Sequence, residues 1–290
     1  MFDHIALATP YQTIDIPYPV QLTIKRLDQI HPHISGNKFF KLKHNLLAAQ
    51  EQGLNQVLTF GGAFSNHIAA TAFAAHHFGF QSIGIIRGDE LAHQMLNPTL
   101  ARAQQLGIQL HFVSRAEYRL RHDIDYLHQL QQRYPNSYII PEGGSNALAI
   151  QGCQEILSDD DLQNFDVICC AVGTGGTIAG IIEKSASNQQ VLGFSALKGD
   201  FLRQDIQHWT KKTNWSLSDA YCCGGYAKTT VELLQFIDNF ERQYSIPLEH
   251  IYTGKMMMGL FDLIQHHHFP ENTRILAIHT GGLQGKIKTY

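Results

Sequence analysis

The sequence lacks the cysteine spacing of a zinc site or of a thiol redox site. None of its five cysteines lies in a C-x-x-C pattern, and four of them form two adjacent pairs. Neighbouring cysteines seldom bridge each other, and Cys169 and Cys170 lie inside the apolar run VICCAV, so we expect a buried strand with reduced thiols. His266, His267 and His268 are consecutive, and three consecutive helical residues point in three directions. The sequence therefore predicts no metal site.

The sequence also lacks a long apolar run and a strong charge imbalance. No run approaches the roughly 20 residues that cross a membrane. The N-terminus MFDHIALATP lacks the basic and then apolar layout of a signal peptide, so we expect a cytoplasmic protein. A net charge of -3 gives no reason to expect nucleic acid or an anionic membrane as a partner.

Two common nucleotide-binding patterns are missing as well. The loop Gly173-Thr174-Gly175-Gly176-Thr177 is not followed by the lysine of a Walker motif, and the third glycine of G-x-G-x-x-G would fall on Ile178. What remains is a glycine-rich turn between an apolar strand and a helix. Backbone N–H groups at such a helix start suit a phosphate, although the same turn could be only a tight connection.

Strand and helix patterns alternate along the 290 residues. Apolar or alternating runs predict strands, and glycines end several of the helices between them. We expect helices over about 39–52, 115–134 and 146–157, and a strand over 20–27. This alternation predicts an α/β protein with parallel sheets covered by helices on both faces, and the length favours two domains or one large one.

Lys38 lies in the segment ISGNKFFKL, after a Ser-Gly-Asn turn and before a helical run. A lysine desolvated at such a junction has a lowered pKa, and its amine can condense with a carbonyl to form a Schiff base. The alternative is a solvated helix start, because Lys38, Lys41 and Lys43 are spaced like an ordinary basic face.

Other small-residue loops follow predicted strands. Ser65 and Asn66 are ordinary N-cap residues, but the same geometry could bind a carboxylate, and His67 could be a base or only a residue of the first helical turn. The loop Gly143-Gly144-Ser145-Asn146 has the same two interpretations. Tyr252 and Thr253 begin a helix whose methionines we expect in the core.

Taken in order, six motifs carry a resemblance over nearly the whole chain. They are SGNK with the following KL, GGAFSNH, PEGGSNA, AVGTGGT, IYTGK and HTGG. This set resembles the pyridoxal-phosphate enzymes of fold type II, and within them the group of 1-aminocyclopropane-1-carboxylate (ACC) deaminase and D-cysteine desulfhydrase. The resemblance implies two open, twisted, mostly parallel-sheet domains like those of the tryptophan synthase β-subunit, with the cofactor in the cleft between them. The larger domain would comprise residues 1–40 and 143–290, and the smaller inserted domain residues 41–142.

The resemblance also implies roles for individual residues. Lys38 would bind pyridoxal 5'-phosphate covalently and move the substrate Cα proton, and Asn66 would bond the ring hydroxyl. Ser65 would bind the substrate carboxylate or relay a proton, with Asn66 and His67 beside the substrate. The phosphate and the rest of the cofactor would be bound by Gly173, Thr174, Gly175, Gly176, Thr177, Thr253, Thr280 and Gly281. Tyr252 and Tyr226 correspond to a pair of active-site tyrosines, and family members usually form homodimers.

The residue at position 253 distinguishes the ACC deaminase pattern from the D-cysteine desulfhydrase pattern. The ACC deaminase pattern has glutamate there, which keeps the pyridine nitrogen protonated, whereas the desulfhydrase pattern has threonine. A weaker electron sink suits β-elimination from a small amino acid, and D-cysteine would give pyruvate, ammonia and sulfide. The alternatives are ACC deamination to 2-oxobutyrate and ammonia, and a non-catalytic cofactor carrier or sensor. The carrier is suggested only by Ala227-Lys228-Thr229-Thr230, where the family usually continues Gly-x-Pro-Asn after the tyrosine.

Overall fold

A computed structural model describes residues 1–286; the last four residues of the predicted larger domain, 287–290, lie outside the described residues. The strands are β1 (Tyr11–Ile14), β2 (Gln21–Lys25), β3 (Gln56–Gly61), β4 (Gln81–Arg87), β5 (Ile108–Val113), β6 (Ser137–Ile140), β7 (Val167–Val172), β8 (Gln190–Ser195), β9 (Trp215–Ser218) and β10 (Arg274–Ile278). The α-helices are α1 (Asn37–Glu51), α2 (Asn66–Phe78), α3 (Pro98–Gln105), α4 (Arg115–Arg119), α5 (Ile124–Arg133), α6 (Ala147–Gln154), α7 (Asp159–Asn164), α8 (Gly176–Lys184), α9 (Phe201–Trp209), α10 (Val231–Tyr244) and α11 (Thr253–Gln265).

The chain divides into two compact units, each assembled from separate segments. The first unit contains Met1–Ala6, His31–Ile34 and Lys38–Gly152. The second unit contains Leu7–Ile30, Ser35–Asn37 and the chain from Cys153 to the end of the described residues. One of the boundaries between the units falls between Asn37 and Lys38, inside the first turn of α1.

The first unit is built on a four-stranded sheet in the order β5-β4-β3-β6, and all its pairs are parallel. Ile83 and Ile85 of β4 pack into one apolar cluster and Ile86 into another. Because neighbouring strand residues point to opposite faces, the sheet has a core on both sides. The carboxyl ends of its strands lead into the loops that carry Ser65 and Gly143.

The second unit contains a six-stranded sheet in the order β1-β2-β10-β7-β8-β9. Only the edge pair β1 and β2 is antiparallel; the other four pairs are parallel. Every residue of β7 is buried, as expected for a strand covered on both faces. Cys169 and Cys170 are buried in this strand and form no disulfide among residues 1–286, and Met256 and Met257 of α11 are core residues.

The prediction of an α/β fold with two mostly parallel sheets is confirmed. The single long helix predicted over 115–134 is wrong, because the segment forms α4 and α5 with a short 3-10 turn between them. Asp123 caps the second helix by accepting the N–H of Tyr126 at 3.0 Å, which starts a new helix inside the predicted one. Within residues 1–286, none of the helices combines the length and apolarity needed to cross a membrane.

Candidate active site

Lys38 is the second residue of α1, and the turn before it is held by two loops of the second unit. Asn37 donates its side-chain N–H to Oγ1 of Thr177 at 2.8 Å and its backbone N–H to the carbonyl of Thr280 at 3.3 Å. Gly36 has a φ of 66°, and a Cβ on it would lie 1.9 Å from the Thr280 oxygen. The residue before Lys38 is thus bound both to the glycine-rich loop and to the segment after β10.

The glycine-rich loop joins β7 to α8. Gly175 has a left-handed φ of 79° as the N-cap of α8, and a Cβ on Gly173 would meet the ring of Tyr252 at 2.8 Å. The first N–H groups of a helix have no acceptor within it, so they point out of its N-terminus with the positive end of the helix dipole. This donor set suits a phosphate and fits the phosphate of pyridoxal phosphate.

Ser65, Asn66 and His67 lie in the first unit at the start of α2. Ser65 is the N-cap, and its Oγ accepts the N–H of Ile68 at 3.3 Å. Ser65 and Asn66 are half-buried, whereas His67 is buried. Phe64, just before them, is exposed. Capping leaves the Ser65 hydroxyl hydrogen for another acceptor, so the capping role and a carboxylate-binding role are compatible.

His67 is held neutral by its surroundings. Burial lowers its pKa well below the usual value, and the charges of Lys38 and Lys41 lower it further. The Nε2 atom lies 2.8 Å from Oγ1 of Thr59, while Nδ1 is buried with no hydrogen-bond partner among residues 1–286. An unpartnered buried nitrogen is unusual, because buried polar atoms in folded proteins are nearly always hydrogen-bonded.

Lys41 is a site residue that the sequence interpretation missed. The solvated-face alternative is wrong for it, because Lys41 is 1% exposed. Its Nζ donates to the carbonyl of Gly143 at 2.8 Å and to Oγ of Ser145 at 2.9 Å, so it holds the glycine loop after β6. The three-residue spacing from Lys38, which puts both on one helix face, was the available signal.

Tyr226 and Tyr252 lie together in the second unit, with ring centroids 6.2 Å apart in an edge-to-face arrangement. Lys255 of α11 donates to the carbonyls of Cys222 and Gly225, each at 2.8 Å, and so holds the loop before Tyr226. Ala227 has a φ of 55°, a conformation that favours glycine. The glycine of the family pattern at this position would adopt the same conformation without strain, and Tyr226 is exposed.

Thr253 is fully buried, and its hydroxyl is hydrogen-bonded to Glu249. The hydroxyl donates to Oε1 of Glu249 at 3.1 Å and accepts the N–H of Glu249 at 3.1 Å. The same carboxylate accepts N–H groups of Ile251, Tyr252 and Thr253 at 2.6 to 2.8 Å. Burial raises the pKa of Glu249, and these hydrogen bonds oppose that rise. Sequence reasoning missed Glu249, because nothing in the motif marks a residue four positions earlier.

Thr280 and Gly281 are both buried, and His279 fixes them. Its Nε2 lies 2.7 Å from the carbonyl of Pro247, to which only a protonated nitrogen can donate, and its Nδ1 accepts the N–H of Gly281 at 3.2 Å. Nδ1 also lies 3.3 Å from Oδ1 of Asp28. Burial lowers the pKa of His279, and the Asp28 charge opposes that shift.

The predicted site residues fall into two groups, one in each unit. The first group consists of Lys38, Ser65, Asn66 and His67, and the second of Gly173, Thr174, Gly175, Gly176, Thr177, Tyr226, Tyr252, Thr253, Thr280 and Gly281. Asn37, directly before Lys38, is the residue that contacts the second group.

Known proteins resemble this chain over most of its length. The family described as pyridoxal-phosphate dependent enzyme matches residues 8–281. A bifunctional D-cysteine desulfhydrase/1-aminocyclopropane-1-carboxylate deaminase of Arabidopsis thaliana is 31% identical over 93% of this chain and 74% of its own. A D-cysteine desulfhydrase of Serratia proteamaculans is 27% identical over 90% of this chain and 86% of its own. A crystal structure of an ACC deaminase homologue superposes with a TM-score of 0.83 at 27% identity, covering 97% of this chain and 91% of the other.

Proposed function

We propose the reaction of this chain from one premise: it belongs to the pyridoxal-phosphate dependent enzymes, in the group of ACC deaminases and D-cysteine desulfhydrases. The proposed reaction is β-elimination from a small amino acid, with D-cysteine as the leading substrate. One water is consumed, and pyruvate, ammonia and sulfide are released. ACC deamination to 2-oxobutyrate and ammonia is the second candidate, because the Arabidopsis relative carries both activities in its name.

Two hydrogen bonds of Asn37 are the main support for the proposed cofactor site. They tie the residue next to Lys38 to Thr177 at 2.8 Å and to Thr280 at 3.3 Å. The backbone N–H groups of Gly173 to Thr177 would hold the cofactor phosphate, and the Asn66 side chain would donate to the ring hydroxyl. When bound, pyridoxal phosphate supplies an aldehyde that joins amines and a ring that withdraws electrons.

Lys38 is the amine that we assign to covalent attachment and to removal of the Cα proton by Nζ. Ser65, through its hydroxyl and the helix start behind it, would bind the substrate carboxylate or relay that proton. His67 lies at the same helix start. Tyr226 and Tyr252 present their rings to the substrate, where a phenol can donate a proton to the departing sulfur.

The absence of an available carboxylate at position 253 favours elimination of thiol. Thr253 is uncharged, and the Glu249 carboxylate behind it already accepts three N–H groups and one hydroxyl. Such a group is a poor partner for a protonated pyridine nitrogen, because its lone pairs are used. A weaker electron sink suits a substrate whose own leaving group carries charge away.

The test is the keto acid released by cofactor-loaded protein from D-cysteine, L-cysteine, D-serine and ACC in parallel. We expect pyruvate from D-cysteine, and a loss of at least about a thousandfold in Lys38→Ala. Lys43→Ala is the matched control, because this lysine of the same helix pairs with Asp3 at 2.6 Å and should not affect turnover.

Absorbance of the cofactor alone would mislead, since free cysteine adds to pyridoxal phosphate without an enzyme. Release of 2-oxobutyrate from ACC as the main activity would contradict the argument from Thr253. Turnover that survives in Lys38→Ala would end the proposal.

A homodimer, a cytoplasmic location and the domain limits are further parts of the proposal. The homodimer follows the resemblance. The larger domain would comprise 1–40 with 143–290 and the smaller one 41–142. A monomer in sedimentation velocity would contradict the dimer.

A further inference from the structure

Glu249 accepts the backbone N–H groups of four consecutive residues at the start of α11. Its Oε2 accepts the N–H of Ile251 at 2.7 Å, and its Oε1 accepts those of Tyr252 and Thr253 at 2.8 and 2.6 Å. Its backbone carbonyl accepts the N–H of Gly254 at 2.8 Å. Glu249 is 2% exposed. One buried residue therefore fixes the turn that contains Tyr252.

The segment that carries Glu249 is itself anchored within the second unit. The carbonyl of Pro247 accepts the N–H of Nε2 of His279 at 2.7 Å, and Leu248 is buried. The backbone N–H of Glu249 donates to Oγ1 of Thr253 at 3.1 Å. Because the residue is held on both sides of its side chain, its carboxylate is a fixed acceptor for the turn.

The hydrogen bonds of Glu249 depend on a carboxylate. The Thr253 hydroxyl adds a fourth donor to the side chain, at 3.1 Å from Oε1. A carboxylate only accepts and has enough lone pairs for all four, whereas a carboxamide has an NH2 group that only donates. In Glu249→Gln the amide oxygen fits the Oε1 position, which receives three donors. The NH2 group then faces the N–H of Ile251, and the two donors repel each other.

The ring of Tyr252 lies against the glycine-rich loop. A Cβ on Gly173 would be 2.8 Å from Cε1 of Tyr252 and 3.4 Å from its hydroxyl oxygen, so the phenol occupies space that the missing side chain leaves. The ring of Tyr226 packs edge-to-face with it, with centroids 6.2 Å apart. Packing thus places the ring of Tyr252, while Glu249 fixes its backbone.

We propose that Glu249 is a positioning residue for proton donation by Tyr252: its carboxylate fixes the Tyr252 backbone and so holds the phenol at Gly173. The inference rests on the proposed function, in which a tyrosine donates a proton to the departing sulfur. As the Cβ–S bond breaks, its electron pair moves onto sulfur, which takes the phenol proton and leaves as hydrogen sulfide. Water then returns a proton to the phenolate. Glu249 acts only through Tyr252.

Two substrates with different leaving groups separate this role from general support of the fold. D-Cysteine loses a basic sulfur, which gains from a proton donor, whereas β-chloro-D-alanine loses chloride, which is stable without a proton. Either substrate would give pyruvate and ammonia. In Glu249→Gln we expect kcat for D-cysteine to fall roughly ten- to a hundredfold, the cost of a misplaced reacting group. The kcat for β-chloro-D-alanine should stay within about threefold, and Tyr252→Phe should show the same selective loss.

Asp161→Asn is the matched control, because it also removes a buried carboxylate of the second unit. Asp161 is 1% exposed and pairs with Lys25 at 2.5 Å. We expect this variant to lose thermal stability, because it leaves a buried charge without its partner. The ratio of its kcat values for the two substrates should stay that of the wild type.

Glu249→Asp tests the same role with the charge retained. A shorter carboxylate still accepts N–H groups two and three residues ahead, which here belong to Ile251 and Tyr252. The loss of kcat with D-cysteine should therefore be smaller than in Glu249→Gln and equally selective. This variant decides the question if Glu249→Gln does not fold.

Hydrogen exchange of the apoprotein provides a readout without cofactor or turnover. N–H groups that are bound to a buried acceptor exchange only when the local structure opens. Mass spectrometry can follow this exchange in a peptide that covers residues 249–256. We expect exchange in this peptide to accelerate at least about tenfold in Glu249→Gln, because opening becomes easier. Asp161→Asn should leave it unchanged.

Each outcome decides one claim. Wild-type protein that releases pyruvate from neither substrate would overturn the proposed function together with this inference. Equal loss with both substrates in the Glu249 variants would overturn the inference alone. Unchanged turnover or unchanged exchange in a folded Glu249→Gln would also overturn it, as would the same selective loss in Asp161→Asn.

Discussion

At the scale of single residues, Thr253 contributes both to the proposed choice of substrate and to the stability of the buried Glu249. The threonine hydroxyl is both donor and acceptor toward Glu249, at 3.1 Å in each direction. Burying a carboxylate costs free energy unless hydrogen-bond donors satisfy its lone pairs. Here backbone N–H groups at the start of α11 satisfy most of them. The residue that distinguishes the desulfhydrase pattern is thus also a structural partner of a buried acid.

Thr253→Val should destabilise the protein by about 1–3 kcal/mol, because the Glu249 carboxylate loses one donor and the Glu249 N–H loses its acceptor. Urea denaturation followed by circular dichroism measures the change. Thr253→Ser keeps the hydroxyl and should cost less. Equal stability of the valine and serine variants would show that the hydroxyl contributes nothing.

At the scale of elements, the turn that leads into α1 is fixed by a close backbone contact. Gly36 combines a φ of 66° with a carbonyl oxygen 1.9 Å from the position of a Cβ. No L side chain can occupy that position without moving the segment after β10. The helix that carries Lys38 therefore starts where this contact puts it.

Gly36→Ala and Gly53→Ala separate steric contact from backbone strain. Their φ values, 66° and 69°, are nearly equal, but nothing lies within 4 Å of a Cβ on Gly53. Gly53→Ala should cost only the strain of the left-handed conformation, about 1–2 kcal/mol. Gly36→Ala should cost clearly more and should weaken cofactor retention, as measured by thermal denaturation and by dialysis. Similar losses in both variants would contradict the role given to the Thr280 contact.

Periodicity and glycine punctuation predicted the α/β alternation, the buried strand β7 and a helix over about 39–52, which the structure has over Asn37–Glu51. They failed where a polar side chain interrupts a periodic run, as Asp123 does between α4 and α5. The motifs placed Lys38, Ser65 and Thr253 on the correct element ends. They could not find Lys41 or Glu249, because burial of a charged side chain depends on partners far away or on backbone N–H groups that no pattern marks.

At the scale of the whole molecule, several histidines are held neutral by folding. Burial is the first cause of a lowered pKa for His31, His67, His111, His250 and His279. An unfolded histidine takes up a proton below about pH 6.5, while these folded rings resist it. Their contribution to stability is therefore complete above that pH and is lost as the pH falls below it.

His31→Asn should reduce this acid sensitivity while preserving the turn. Nδ1 of His31 accepts the N–H groups of His33 and Ile34 at 3.1 and 3.0 Å, and an asparagine oxygen can accept the same bonds. We expect the free energy of unfolding at pH 8 to equal that of the wild type. Between pH 6.5 and 5, the free energy of unfolding should fall less steeply with decreasing pH than in the wild type, by up to about 1.4 kcal/mol per pH unit. Urea denaturation across this range measures it. His128→Asn, at an exposed position of α5, is the control and should leave the slope as it is.

The strand order of the second unit limits how much of its sheet can form during translation. Strand β10, near the end of the described chain, lies between β2 and β7. The four strands of the first unit, by contrast, are all synthesised by Ile140. Nascent chains fold in the order in which they emerge, so one sheet can assemble during translation. The other sheet cannot complete the pairing of β2 and β7 until β10, over Arg274–Ile278, has been synthesised.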